Sequence, residues 1–249
     1  PMTDSMPIDL PAIVAHRGWA ARYPENSLAA IEAAIWLGLR YVEFDVQLTA
    51  DGVPVLFHDV SLERITGRPG RILDTRWADL AHLSTGEPGR LGNAFSRIRP
   101  ATLMDAANLL SRHPGVTAFV EIKPESLAHF GSHAVWEACR LPVGEIPRPV
   151  VTSFDRAILE QVRAEHRIAW VLPEYTDATL ASARRLAPRY LFCNVKRLPA
   201  GPLADGTWEW VIYEIRTAAA ALRLGERGAG LVEAMDPAAL LGRPAADRP

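Results

Sequence analysis

Cysteine is scarce in this chain, with only Cys139 and Cys193 among 249 residues, the first on a predicted helix and the second on a predicted strand. Two thiols do not make a disulfide framework, although a single bridge between them stays open. No apolar run approaches the roughly 20 residues that a membrane span requires, so no stable membrane association is expected. Neither sign of charge dominates: 27 Lys and Arg stand against 29 Asp and Glu, for a net charge of −2. Phosphate-backbone binding needs clustered Lys and Arg, and without a basic stripe nucleic acid is not the expected partner. The opening residues, Pro1 to Met6, lack a basic stretch followed by an apolar one, so no secretion signal is expected and a cytoplasmic setting is the default. Internal repeats and low-complexity tracts are also missing.

What the chain has is core material: 49% of its residues are hydrophobic. Its length allows one or two domains, and single α/β barrels commonly run to about 250 residues. Short β-rich runs alternate with helical ones, among them a helix expected from about Ser126 after the strand over 116–122. The strand candidates are 13–15, 41–46, 116–122, 150–152, 168–172, 190–194, 208–212 and 231–232. Repeated βα units imply a parallel sheet, because a parallel pair needs a crossover. Eight of them predict a closed (β/α)8 TIM barrel spanning 1–249 as a single domain, with an open doubly wound sheet as the alternative.

The first helix illustrates the local logic. Asn26 or Ser27 can cap it, Leu28, Ile31, Ile35 and Leu39 recur at helical spacing, and Gly38 can end it. The stretch of about 59–101 breaks the rhythm. It is rich in Arg, Gly and Pro, follows a short extra strand over 53–57, and reads as an insertion on the catalytic face between the second and third βα units. The tail from Gly242 is expected to fray.

Chemistry concentrates at the predicted strand ends. His16-Arg17-Gly18, Pro24-Glu25-Asn26-Ser27, Glu43-Phe44-Asp45 and His58-Asp59 follow one another closely, and Glu121-Ile122-Lys123 ends a later apolar strand. Side chains alternate along a strand, so Glu43 and Asp45 share one face at about 6 to 7 Å while Val42, Phe44 and Val46 take the other. Two carboxylates so close in a semi-enclosed site repel one another unless a cation lies between them. With Glu121 they form an all-oxygen donor set without thiolate, which suits one hard divalent cation, Mg²⁺ or Ca²⁺, rather than zinc. The alternative places Glu43 and Asp45 on a half-solvated antiparallel strand, or pairs Glu121 only with Lys123.

His16 and His58 each follow an apolar strand, and their ordinary pKa near 6.5 suits general acid and general base. The five other histidines, His82, His113, His129, His133 and His166, fall on predicted helices or loops and read as surface or packing residues. Arg17 offers planar donors to a phosphoryl oxygen and Lys123 a point charge. A salt bridge from Arg17 to Glu25 or to a barrel carboxylate is the competing assignment.

In this order and spacing, these motifs closely resemble the glycerophosphodiester phosphodiesterases. The likeness is strong through Pro124 and weaker beyond it, where Ser153-Phe154 looks like the family's Ser-Phe after the fourth strand. The resemblance implies a TIM barrel carrying the family's insertion, a divalent metal on Glu43, Asp45 and Glu121, acid-base work by His16 and His58, and phosphate contacts from Arg17 and Lys123. It further implies hydrolysis of a small-molecule glycerophosphodiester, such as glycerophosphocholine or glycerophosphoethanolamine, to glycerol 3-phosphate and an alcohol. The C-terminal part departs from the family pattern, reading Val211-Ile212-Tyr213-Glu214 and Val232-Glu233-Ala234-Met235-Asp236-Pro237. An acidic rim made by Glu214 and Glu233 could favour a cationic alcohol or merely repel unsuitable anions. Two rival functions stand beside this one. The first is a lysophospholipase D or sphingomyelinase-like enzyme, with Trp19, Trp77 and Phe95 lining an acyl groove. The second is a non-catalytic phosphate-binding barrel. Metal identity, the preferred alcohol and the oligomeric state are left open by the residues.

Overall fold

Strands that bury both faces in a barrel need apolar residues outward against the helices and a narrower, mixed set inward, and β2 (Tyr41–Leu48) has that pattern. Its Val42, Phe44 and Val46 are buried in the large cluster shared with the helices, while Glu43, Asp45 and Gln47 take the opposite face. The structure, a computed structural model, describes residues 10–243. The readings made above for Pro1 to Met6, and for the tail beyond Arg243, lie outside the described residues.

Eight parallel strands close on themselves. They are β1 (Ala12–Ala15), β2, β4 (Thr117–Ile122), β5 (Pro149–Ser153), β6 (Arg167–Val171), β7 (Tyr190–Asn194), β8 (Glu209–Tyr213) and β9 (Ala229–Ala234). Pairing runs β1-β9-β8-β7-β6-β5-β4-β2, and β1 returns to β2 through Val14 and Ala15 opposite Tyr41 and Val42, completing the predicted TIM barrel. The short β3 (Pro54–Leu56) lies antiparallel against the end of β2. Inside, Val14, Phe119, Val150, Val171, Tyr190 and Phe192 belong to a plug beneath the mouth. Phe119 meets Tyr190 and Phe192 edge-on, each at 5.0 Å between ring centres, an arrangement aromatic quadrupoles favour.

Three expectations shift. The final strand extends well beyond 231–232, because Glu233 keeps strand pairing opposite Val14; a buried acid interrupts the apolar pattern without interrupting the ladder. The helical stretch expected from Ser126 starts at Pro124, whose fixed φ and missing N–H suit a first turn, and Gly131 at φ 83° divides it into Pro124–Phe130 and Ser132–Glu145. The irregular segment lies inside the second βα unit, between β3 and the helix Leu103–Leu110, rather than between the second and third units. It has short helices and a core of its own, which includes Val55, Phe57, Leu62, Ile65, Ile72 and Leu80.

Candidate active site

The loop after β1 is shaped by backbone that most residues resist. Arg17 and Gly18 both adopt positive φ, 55° and 74°. A Cβ on Gly18 would come within 2.5 Å of the Ala30 carbonyl carbon, so only glycine lets this turn lie against the first helix. The turn aims the Arg17 N–H at Glu43 Oε2 (2.9 Å) and leaves His16 at the mouth. Ser27, not Asn26, caps the helix Leu28–Trp36 by accepting from Ala30 N. Asn26, at φ 54°, instead clamps Asp45: its Nδ2 donates to Asp45 Oδ2 and its Oδ1 accepts from Asp45 N, both at 2.9 Å.

Glu43, Asp45 and Glu121 converge so that one carboxylate oxygen from each lies within 4.8 Å of the others. Burial is the main force on all three. It pushes Glu43 well up, reinforced by Asp45 and Glu233, and it pushes Glu121 up, with Asp45 adding to it. Burial also opposes ionisation of Asp45, but Arg17 and Lys123 overcome it and hold that carboxyl at about 2. Lys123 Nζ donates to Glu121 Oε1 at 2.8 Å and lies 3.4 Å from Asp45 Oδ1. Arg17 Nε sits 3.2 Å from Asp45 Oδ2 without hydrogen-bond alignment, and its Nη1 donates to Glu25 Oε1 at 2.9 Å. Glu43 Oε1 is buried with no protein partner. An orphaned carboxylate oxygen beside two further acids is a donor set that a hard divalent ion fits.

The imidazoles flank this trio. His16 Nε2 lies 3.9 Å from Glu43 Oε2 and 4.0 Å from Glu233 Oε2. Burial and the Arg17 guanidinium push it down to about 3, so it is neutral at physiological pH. His58 is fixed from two sides. Its backbone carbonyl, with that of Asp59, accepts from the buried Gln47 Nε2, each at 2.8 Å. Its Nδ1 lies 2.7 Å from Asp59 Oδ1, and the hydrogen bonds of Arg64 hold Asp59 down at about 2. An ionised carboxylate only accepts, so Nδ1 carries the proton and Nε2 is left for other chemistry.

His16 and His58, with Arg17, Asp45, Glu121 and Lys123, line one cavity of about 320 Å³ whose wall also includes Phe154, Phe192, Tyr213 and Glu233. Sequence reasoning missed Arg64. Its guanidinium holds Glu25 with Nη1 and Nη2 at 2.7 and 2.8 Å, and Asp59 with Nε and Nη2 at 2.6 and 2.9 Å, tying the His58 loop to the Arg17 loop. It also missed Glu87, which accepts from Glu25 N and Arg90 and so pins the inserted segment to the same loop. No signal marked either residue, because both act across the insertion. The aromatics considered for an acyl groove do not reach the cavity. Trp19 donates to Asp236 and packs on Tyr23, Tyr23 meets Phe95, and Trp77 packs in the insertion. No helix among the described residues is long and apolar enough to cross a membrane, and Cys139 and Cys193 are both free and buried.

Comparison with known proteins places this arrangement. Human Glycerophosphodiester phosphodiesterase 1 is 31% identical over 188 residues, covering 74% of this chain and 55% of that one. The mouse protein of the same name is 39% identical over 117 residues, covering 47% and 35%. The chain thus spans about a third to just over half the length of these relatives. A solved phosphodiesterase from Oleispira antarctica, in complex with the product sn-glycerol-3-phosphate, superposes with a TM-score of 0.80 at 26% identity over 94% of this chain and 96% of that one. The sequence model of the Glycerophosphoryl diester phosphodiesterase family matches residues 16–186, from His16 through the three acids on β2 and β4 and beyond, and the chain belongs to that family.

Proposed function

We propose that this protein hydrolyses small glycerophosphodiesters to glycerol 3-phosphate and an alcohol, using one divalent cation, Mg²⁺ or Ca²⁺, bound by Glu43, Asp45 and Glu121. The carrying observation is the convergence of three carboxylates on one point, beside His16 and His58, in a cavity of about 320 Å³. When bound, the cation neutralises the charge of the diester and polarises its phosphorus, a contribution of several kcal/mol. Lys123 is a phosphate contact in this reading: of the three donors of its ammonium, one goes to Glu121 while Asp45 lies 3.4 Å away as an ion pair, which leaves N–H for a phosphoryl oxygen. Arg17, locked over Asp45 and Glu25, is the second phosphate contact. One imidazole takes the proton of the attacking hydroxyl and the other gives a proton to the departing alkoxide. Asp59 and Arg64 orient His58, and Gln47 holds its backbone. Two isolated thiols fit a reducing, cytoplasmic setting.

The test is product release from glycerophosphocholine. Hydrolysis that EDTA abolishes and Mg²⁺ or Ca²⁺ restores is the expected result. Turnover unaffected by EDTA removes the metal from the account, and no release in any metal removes the activity. Phosphorus NMR of the same reaction separates attack by water from attack by the glycerol 2-hydroxyl, since only the latter passes through a cyclic phosphate.

A further inference from the structure

The sequence holds no basic stripe, yet folding gathers arginines at one end of the barrel. Five strands that neighbour one another in the ring are entered through an arginine: Arg40 before β2, Arg112 in the turn before β4, Arg148 before β5, Arg167 opening β6 and Arg189 before β7. All five are exposed, and each comes from a different crossing, so no single stretch of sequence reads as basic. A strand advances about 3.3 Å per residue, which sets Arg40 roughly 16 Å below Asp45, at the end of the barrel opposite the mouth.

Little on the protein neutralises these charges. Among the described residues, Arg40, Arg148 and Arg167 make no side-chain hydrogen bond or ion pair and Arg112 donates only to the Asn108 carbonyl, whereas Arg189 is paired with Glu209. The other acids at this end, Glu145, Glu165 and Glu226, pair with none of the five. Arg148 and Arg167 open on one cleft of about 320 Å³, so their guanidiniums are accessible to an outside anion. Apolar side chains stand beside them. Trp36, 79% exposed, ends the helix Leu28–Trp36, and Leu141, 64% exposed, lies about one turn before the end of Ser132–Glu145. The helix Leu103–Leu110 packs against both of these helices, and Arg112 follows it. Arginine beside exposed tryptophan and leucine is the composition of a surface that settles into anionic headgroups, where guanidinium meets phosphate and the indole takes the interface. A nucleic acid would use the arginines and leave the two apolar side chains in water.

We propose that the base of the barrel docks reversibly onto an anionic lipid bilayer, with Arg40, Arg112, Arg148 and Arg167 against the headgroup phosphates and Trp36 and Leu141 at the interface. Docked in this way the mouth faces water, and binding does not depend on catalysis. Cosedimentation with vesicles tests it, comparing phosphatidylcholine alone with phosphatidylcholine containing about one third phosphatidylserine. The wild type is expected to bind the mixed vesicles, to leave the neutral ones free, and to be released by salt. Each arginine near such a surface is worth about fivefold in affinity, so Arg40→Gln combined with Arg148→Gln is expected to bind about 25-fold more weakly at an unchanged melting temperature. Arg68→Gln combined with Arg97→Gln removes the same charge from the exposed surface of the inserted segment, and wild-type binding is expected of it. Trp36→Gln is expected to weaken binding with no change of charge. No binding to the mixed vesicles, equal binding to the neutral ones, a loss in the Arg40 and Arg148 pair no greater than in the Arg68 and Arg97 pair, or full affinity in Trp36→Gln overturns the docking. Tighter binding to duplex DNA than to the mixed vesicles also overturns it and assigns the face to nucleic acid.

Discussion

At the scale of single residues, the account turns on groups held in charge states they would not choose in water. His16 is kept neutral by burial and by Arg17, and Asp45 is kept ionised by Arg17 and Lys123. Replacing either His16 or His58 with Ala is expected to lower turnover by about 10²- to 10⁴-fold while leaving cation affinity in place, measured by steady-state kinetics beside calorimetric titration of the metal. Asp59 carries a pH prediction with a definite sign. Its folded carboxyl sits at about 2, below the value near 3.9 of an unfolded chain, so its ion pair contributes stability above about pH 4 and loses it as pH falls toward 2. Asp59→Asn is therefore expected to show a flatter loss of melting temperature between pH 4 and 2 than the wild type. It is also expected to lower kcat more than it raises KM, because the His58 ring loses the acceptor that fixes its tautomer.

At the scale of elements, the barrel floor and the inserted segment do different work. Phe119 is wholly buried between Tyr190 and Phe192 directly beneath Glu121 on β4, so the plug sets the depth at which the acids sit. Phe119→Ala is expected to cost about 3–5 kcal/mol, read from urea unfolding. The insertion docks through hydrogen bonds of charged side chains instead: the buried Glu87 carboxylate accepts from Glu25 N at 2.6 Å, and the exposed Arg90 donates to the Ala21 and Tyr23 carbonyls. Arg64 then links Glu25 on one loop to Asp59 on the other.

At the scale of the whole molecule, the strands and their ring were legible because apolar runs alternate with amphipathic helices at a barrel's length. The inward placement of Glu43 and Asp45 was legible from the two-residue strand period alone. Glu233 was visible only as an oddity near the mouth, since one acid in a short apolar run does not reveal that its strand continues around it. The Arg64 bridge could not be read, because Arg64 lies in the irregular insertion, whose path no periodicity encodes, and its partner Glu25 is 39 residues away. Acids gathered this closely repel one another in the metal-free protein, which leads to a global prediction. At a free Ca²⁺ or Mg²⁺ concentration about 100 times its dissociation constant, the fold is expected to gain about 2.7 kcal/mol, seen as a higher melting temperature, and Asp45→Asn is expected to lose that gain.

The most direct measurement is a crystal structure of the protein soaked with Mg²⁺ or Ca²⁺. The account predicts one ion bound by oxygens of Glu43, Asp45 and Glu121 at about 2.0–2.6 Å, and an ion bound elsewhere, or none beside these three carboxylates, would contradict it.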